Sequence, residues 1–309
     1  MKKKISIIIP FYNEGANIPL ILSKVRTLIS KEKNYNFEIL LMDNSSNDGS
    51  DIIAKEEIKN FEDAKYFKMS RNFGYQANIK AGYDNCTGDA AVQLDADGED
   101  EPELISEFIK NWENNFDVVY GIREKRREFF ILTWVRNFYY KFLQKFSDIE
   151  LPIGAGDFRL IDRKVINHLK TFDEKNLYLR GLISFIGFKQ KGVKYDRQIR
   201  FSGQSKISLL NYFDISITAI TSFTKTPLIL IFFLGLFTFL ISMVLLFVYL
   251  FFFLIGSVTE PGFTTLILIQ LLFFGLIMLL IGILSIYVGY ILDEVKKRPN
   301  YIIDDHKKN

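Results

Sequence analysis

Over its first 200 residues the chain alternates short apolar runs with amphipathic ones. Residues 5–10 form an unbroken β-rich run, and residues 37–43, 65–69, 90–94 and 117–121 repeat it. Between them, residues 17–30 place Ile18, Ile21, Leu22, Val25 and Leu28 at helical spacing, and residues 51–60 and 76–83 read as further helices. Strands apolar on both faces, separated by helices, predict an α/β domain with a mostly parallel sheet covered on both sides. Ligands of such sheets bind outside the carboxyl ends of the strands.

From Thr226 the pattern changes. Glu260 is the one Asp, Glu, Lys or Arg between residues 226 and 292. The uncharged runs 226–259 and 261–292 each exceed the roughly 20 residues that cross a hydrocarbon core. They predict two transmembrane helices, and the short linker 256–262 makes them a hairpin. Lys225 precedes the first run, Lys296, Lys297 and Arg298 follow the second, and the linker has no basic residue. By the positive-inside rule both termini and the globular domain are expected on the cytoplasmic side of a cell membrane. Residues 207–223 mix three- and four-residue apolar spacing, which predicts an amphipathic helix in the bilayer interface; a helix packed on the sheet fits the same pattern. The expected organisation is a globular domain over 1–200, a juxtamembrane segment over 201–225, two membrane helices within 226–292 and a cytoplasmic tail over 293–309. Lys2-Lys3-Lys4 followed by isoleucines imitates a secretion signal, but Pro10 and Asn13 cut the apolar run short.

Composition removes several classes. A net charge of +3 implies no nucleic-acid partner. A single cysteine, Cys86, excludes an intrachain disulfide, and the distant His168 and His306 make no zinc site. Residues 123–145 hold seven Lys or Arg against two Glu, interleaved with Phe129, Phe130, Trp134, Phe138, Tyr139 and Phe142, a mixture suited to lipid headgroups.

The chemistry gathers at strand ends. Residues 5–9 lead to Pro10, Tyr12 and Glu14; residues 37–42 lead to Asp43; residues 91–94 lead to Asp95-Ala96-Asp97. In a parallel sheet these ends share one rim. Alternate residues of an extended segment point the same way, so Asp95 and Asp97 lie together and repel unless a cation sits between them. Hard oxygen ligands suit Mg2+ or Mn2+, ions that usually arrive with substrate phosphates. A solvated acidic turn is the plainer reading of an isolated Asp-x-Asp. Gly154-Ala155-Gly156 opens like a dinucleotide fingerprint but lacks the third glycine and the following helix, and no Walker pattern is present.

Six segments in order carry a resemblance: Ile8-Ile9-Pro10-Phe11-Tyr12-Asn13-Glu14, Met42-Asp43-Asn44-Ser45-Ser46-Asn47-Asp48-Gly49, Arg71-Asn72-Phe73-Gly74, Leu94-Asp95-Ala96-Asp97, Gly156-Asp157-Phe158-Arg159-Leu160 and Gly203-Gln204-Ser205-Lys206. Followed by two apolar spans, they resemble the polyisoprenyl-phosphate branch of the family 2 glycosyltransferases over nearly the whole chain. The resemblance implies a GT-A domain with a Rossmann-like sheet and inverting transfer of a hexose from a nucleotide-sugar to a polyisoprenyl phosphate, undecaprenyl phosphate in bacteria. A UDP-sugar is the expected donor. It implies nucleotide contacts from Pro10, Tyr12, Glu14, Asp43, Asp95 and Ala96. Asp95 and Asp97 would hold the metal, with Glu99 where the family often has Gln. Arg123, Arg136, Arg200, Ser205 and Lys206 would meet the donor diphosphate and the lipid phosphate. Asp97 and Asp157 are the catalytic candidates. Asp157 matches an acid that serves as base in related transferases; a phosphate nucleophile needs none, and orienting the sugar or an arginine is the alternative. Self-association fits the branch. A processive synthase would carry a Gln-x-x-Arg-Trp segment that neither Trp112 nor Trp134 supplies, and a degenerate, non-catalytic scaffold would not keep both aspartates.

Overall fold

The computed structural model of this chain describes residues 2–123, 155–198, 226–255 and 263–308. The expected helix over 207–223, the linker 256–262, and Arg136, Arg200, Ser205 and Lys206 lie outside the described residues.

The globular unit is built on β1 (Lys4–Phe11), α1 (Ile18–Lys31), β2 (Asn36–Asp43), α2 (Ser50–Glu57), β3 (Ala64–Met69), α3 (Tyr75–Asn85), β4 (Ala90–Gln93), α4 (Leu104–Glu113) and β5 (Val118–Arg123), followed by β6 (Ala155–Asp162), α5 (Arg163–Lys170), α6 (Leu179–Phe185) and β7 (Gln190–Tyr195). A last strand, β8 (Ile303–Lys308), comes from the end of the chain. Among the described residues the strands form one eight-stranded sheet in the order β7-β5-β6-β4-β1-β2-β3-β8. The strands β4-β1-β2-β3 are parallel, β5 and β7 run parallel to each other, and β6 and β8 are antiparallel to their neighbours. The apolar runs read from the sequence become these central strands, and Ile5, Ile7, Ile9, Leu41 and Val92 are wholly buried. The apolar stripe of α1 covers one face, with Ile18, Ile21, Leu22, Val25 and Leu28 all buried. On the other, α3 approaches β1 so closely that a β-carbon at Gly82 would fall 2.3 Å from Ile8 Cγ2.

Two features lay beyond the sequence pattern. The strand β6 carries Asp157 and Arg159 buried in its middle, so it shows no apolar run. The second is the expected tail over 293–309, which is in part a strand: β8 pairs with β3 at the sheet edge. The approach to it is fastened by Asn300 Nδ2 donating to Glu174 O at 3.0 Å, Tyr301 Oη to Asp84 Oδ2 at 3.0 Å, and Ser70 N to Ile302 O at 3.0 Å.

The second unit, residues 220–297, contains α7 (Thr226–Leu254) and α8 (Phe263–Lys296). Within α8, Phe273–Lys296 is long and apolar enough to cross a membrane, with a mean hydropathy of 2.4, and none of it is buried inside the chain.

At the amino ends of the central strands, Glu38 is fully buried. It accepts from Ser6 Oγ at 2.6 Å and from Thr87 N and Oγ1 at 2.9 Å each, and pairs with Lys65. Burial works against its charge, but the bonds from Lys65, Ser6 and Thr87 prevail and pull its carboxyl from 4.5 down to about 2. A depressed carboxylate contributes stability fully above its unfolded value. The contribution is therefore lost as pH falls from about 4.5 toward 2. Glu38→Ala, which leaves Lys65 unpaired beside an empty polar pocket, is expected to cost about 3 kcal/mol in urea unfolding at pH 7. The difference from wild type should narrow at pH 3.

Candidate active site

The rim opposite Glu38 collects the carboxyl ends of the parallel strands. Past β4 the chain keeps to β1 for one more residue, Leu94 N donating to Ile8 O at 2.9 Å. It then presents Asp95, buries Ala96 as an anchor in the core, and presents Asp97. Gly98, at φ +76°, turns it away. Asp97 Oδ1 caps that turn by accepting from Glu99 N at 3.1 Å. Asp95 Oδ1 accepts from Tyr75 Oη at 2.6 Å and from Gln93 Nε2 at 2.8 Å. Burial, and then the charges of Asp97 and Asp100, push the Asp95 carboxyl well above the usual carboxylate range; the Tyr75 bond opposes them.

Glu99 does not join the pair. Its carboxylate is bound by Arg197, and its carbonyl accepts from Gln198 N at 2.9 Å. Among the described residues no group of three His, Cys, Asp or Glu is arranged to hold an ion. The reason is Gly98, whose left-handed backbone ends the strand alternation that would have aligned Glu99 with Asp97. Asp95 and Asp97 still fit a hard divalent cation. One or two protein carboxylates are the usual share where substrate phosphate oxygens complete an octahedral shell.

Asp100 is buried completely beneath the turn. It accepts from Tyr195 Oη and lies 3.5 Å from Arg197 Nε and 3.7 Å from Arg123 Nη2. Arg123 also donates to Tyr195 Oη at 3.3 Å and lies across Gly156, where a β-carbon would meet its guanidinium at 3.0 Å. Arg123 is therefore at the rim as expected, fixed by an acid that the sequence did not single out.

The loop after β1 carries Tyr12 and Glu14, both half-buried, beyond a buried Pro10. It is tied to the loop after β2 through a reciprocal pair, Asn13 Nδ2 to Asn47 Oδ1 and Asn47 N to Asn13 Oδ1, both 2.9 Å. Asp43 has no exposed surface. Its oxygens accept from Ser46 N and Tyr66 Oη, each at 2.8 Å, so it supports the turn under the loop and does not line open space.

Asp157 sits at the start of β6. Gln93 of β4 is opposite Arg159, and the charge of Asp157 is felt at Asp95 just past the end of β4. Arg180 of α6 grips Asp157 with two bonds, Nε to Oδ1 at 2.8 Å and Nη2 to Oδ2 at 2.7 Å. Gln76 Nε2 reaches Oδ2 at 3.5 Å. Burial raises the Asp157 carboxyl, but Arg180, with Arg159 and Arg123 behind it, holds it well below the usual range. Arg159 is buried and donates to Gly156 O at 2.7 Å, so it braces the strand instead of facing a ligand. Tyr75, Gln76, Arg180 and Arg197 were not foreseen. Gln93 was readable, standing two residues before Asp95 on the same strand face.

Residues 6–170 match the sequence profile of glycosyl transferase family 2, more than half of the chain. The chain belongs to that family. This glycosyltransferase is 39% identical over 299 residues to the uncharacterized glycosyltransferase YkcC of Bacillus subtilis (strain 168), covering 96% of this chain and 92% of that one. It is 32% identical to the bactoprenol glucosyl transferase of Shigella phage SfX, covering 98% of this chain and 100% of the phage protein. The prophage bactoprenol glucosyl transferase homolog of Escherichia coli (strain K12) is 31% identical, over 99% and 100%.

The two aspartates flanking Gly98 should separate by substitution. Asp100→Ala strands two arginines in a desolvated corner and is expected to cost about 2–3 kcal/mol of stability. Asp97→Ala removes one turn bond and should cost about 1 kcal/mol. Urea unfolding of both variants checks the contrast.

Proposed function

We propose that this glycosyltransferase moves a hexose from a nucleoside diphosphate sugar, with a UDP-sugar as the expected donor, to a polyisoprenyl phosphate such as undecaprenyl phosphate. The observation that carries the reading is the end-to-end similarity to two proteins named bactoprenol glucosyl transferases or their homologue. It spans the apolar C-terminal part as well as the sugar-transfer domain.

The lipid phosphate is anionic at neutral pH, so its oxygen needs no base. It attacks the anomeric carbon in line, the bond from that carbon to the β-phosphate oxygen breaks, the electron pair leaves with the nucleoside diphosphate, and configuration inverts. What the protein supplies is placement and charge. Tyr12 and Glu14 would line the nucleoside side, backed by the buried Pro10 and Ala96, with Asp43 and the Asn13–Asn47 latch holding the loop in shape. Arg123, set by Asp100, brings positive charge to two substrates that repel each other. Arg136, Arg200, Ser205 and Lys206 are further candidates for the phosphates. Mg2+ or Mn2+, held by Asp95 and Asp97 together with diphosphate oxygens, would neutralise the departing group as a Lewis acid.

A membrane address agrees with this acceptor. We read α7 and α8 as two spans, with the globular domain and both termini in the cytoplasm. The return of β8 to the sheet supports that reading, because a chain that leaves a domain for a membrane and rejoins the same sheet crosses an even number of times. Two residues of opposite charge at the end of α8, Asp293 and Lys296, 3.9 Å apart, suit its emergence into water.

Incubating the purified enzyme with labelled nucleotide-sugars and undecaprenyl phosphate should consume one donor and yield a labelled lipid. Asp97→Ala, or excess chelator, is expected to reduce that transfer at least about a hundredfold. Full transfer in either case would remove the metal from the reading, and no lipid product with any donor would remove the acceptor.

A further inference from the structure

The geometry points to Asp157 as a positioning residue that holds Arg180, and to Arg180 as a phosphate-binding residue of the transfer site, an inference that rests on the proposed reaction. Three observations carry it.

First, Asp157 is already committed. Each of its oxygens accepts from the Arg180 guanidinium, at 2.8 and 2.7 Å. Taking a proton from a substrate would require breaking a bidentate charge-assisted pair, the strongest kind of side-chain hydrogen bonding. A phosphate nucleophile brings no proton that must be removed.

Second, the arginine is the outward half of the pair. The Arg180 side chain is 29% exposed and the Asp157 side chain 9%. Arg180 also donates from Nη1 to Ala155 O at 3.3 Å, and Gln76 joins the two elements by accepting from Leu179 N through Oε1 at 3.1 Å while its amide reaches Asp157. The guanidinium is thus fixed on three sides before any ligand arrives, so little rotamer entropy remains to be lost on binding.

Third, the pair stands close to the acidic pair that would take the metal: the charge of Asp157 is felt at Asp95. The charge of Arg180 is felt at Tyr75, whose hydroxyl donates to Asp95. Asp157 is faced by Arg180, Arg159 and Arg123, and Asp100 by Arg123 and Arg197, so arginines stand next to the acidic pair that would take the metal. The ligand is a phosphoryl oxyanion, from either the donor diphosphate or the lipid phosphate.

Steady-state kinetics of Arg180→Ala, Arg180→Lys, Asp157→Asn and the double variant Asp157→Asn/Arg180→Ala test this, with calorimetric binding of UDP plus Mn2+ as a readout that needs no acceptor. Arg180→Ala should raise the KM of one substrate roughly 10- to 100-fold, and Arg180→Lys should recover part of it. A rise in donor KM with weaker UDP binding assigns Arg180 to the diphosphate. A rise in lipid KM with unchanged UDP binding assigns it to the acceptor. Asp157→Asn should move the same KM, the double variant should be no worse than Arg180→Ala, and the pH profile should keep its shape. The proposal is overturned if Arg180→Ala leaves both KM values and UDP affinity within twofold. It is also overturned if the losses at 157 and 180 multiply, or if Asp157→Asn lowers kcat alone and removes the acidic limb of the profile. Should Asp157→Asn fail to fold, the Arg180 variants decide by themselves. Wild-type enzyme that binds UDP and Mn2+ but glycosylates no lipid phosphate refutes the proposed acceptor, and the UDP arm then judges Arg180 for the diphosphate.

Discussion

Carboxylates crowd one end of this sheet, and the repulsion among them governs how the rim is built. Parallel pairing of β1, β2 and β4, with β6 laid antiparallel beside β4, sends Asp43, Asp95 and Asp157 to the same end. Asp97 and Asp100 follow within one turn. In a partly desolvated rim that arrangement is unfavourable unless each charge meets a proton, a donor or a cation. The structure answers differently at each position. Asp43 is absorbed by Ser46 and Tyr66, Asp100 by Tyr195 and two arginines, and Asp157 by Arg180. Asp95 receives only neutral donors, Tyr75 and Gln93, and its carboxyl stays high.

The central strands were legible because their burial on both faces leaves unbroken apolar runs, and α1 because its stripe repeats at helical spacing. The Asp95/Asp97 pair was legible because strand alternation is local. Longer-range features were not. Arg180 lies 23 residues beyond Asp157 on a seven-residue helix, and nothing in its neighbourhood marks it. Gly98, at positive φ, ends the strand before Glu99, whose carboxylate is bound by Arg197. A strand-end acid such as Asp43 looks the same in sequence whether it faces a ligand or caps a turn from below.

The C-terminal strand shows how topology can inform a reading that hydropathy alone leaves open. By composition one stretch of α8 qualifies as a span among the described residues. The charged hexapeptide β8 carries no apolar run, so nothing in its composition announces a strand. Its pairing with β3, helped by Tyr301 on Asp84 and Asn300 on Glu174, makes the sheet depend on residues from both sides of the apolar segments. On the proposed reading, fold and membrane attachment are joined in one chain closure, which two crossings would satisfy and one would not.

Asp95 and Asp157 are the same residue type at the same end of the sheet, and the charge of one is felt at the other. Their charges nonetheless move in opposite directions, one carboxyl up and the other down. The difference is whether an arginine donates directly to the carboxylate, as Arg180 does to Asp157. Where an arginine is built in, the carboxylate is permanently ionised and becomes scaffolding for that arginine. Where it is not, the carboxylate is left with a standing affinity for positive charge from outside. On the proposed reading that outside charge comes with the donor, so the site would complete its own electrostatics only when substrate is present.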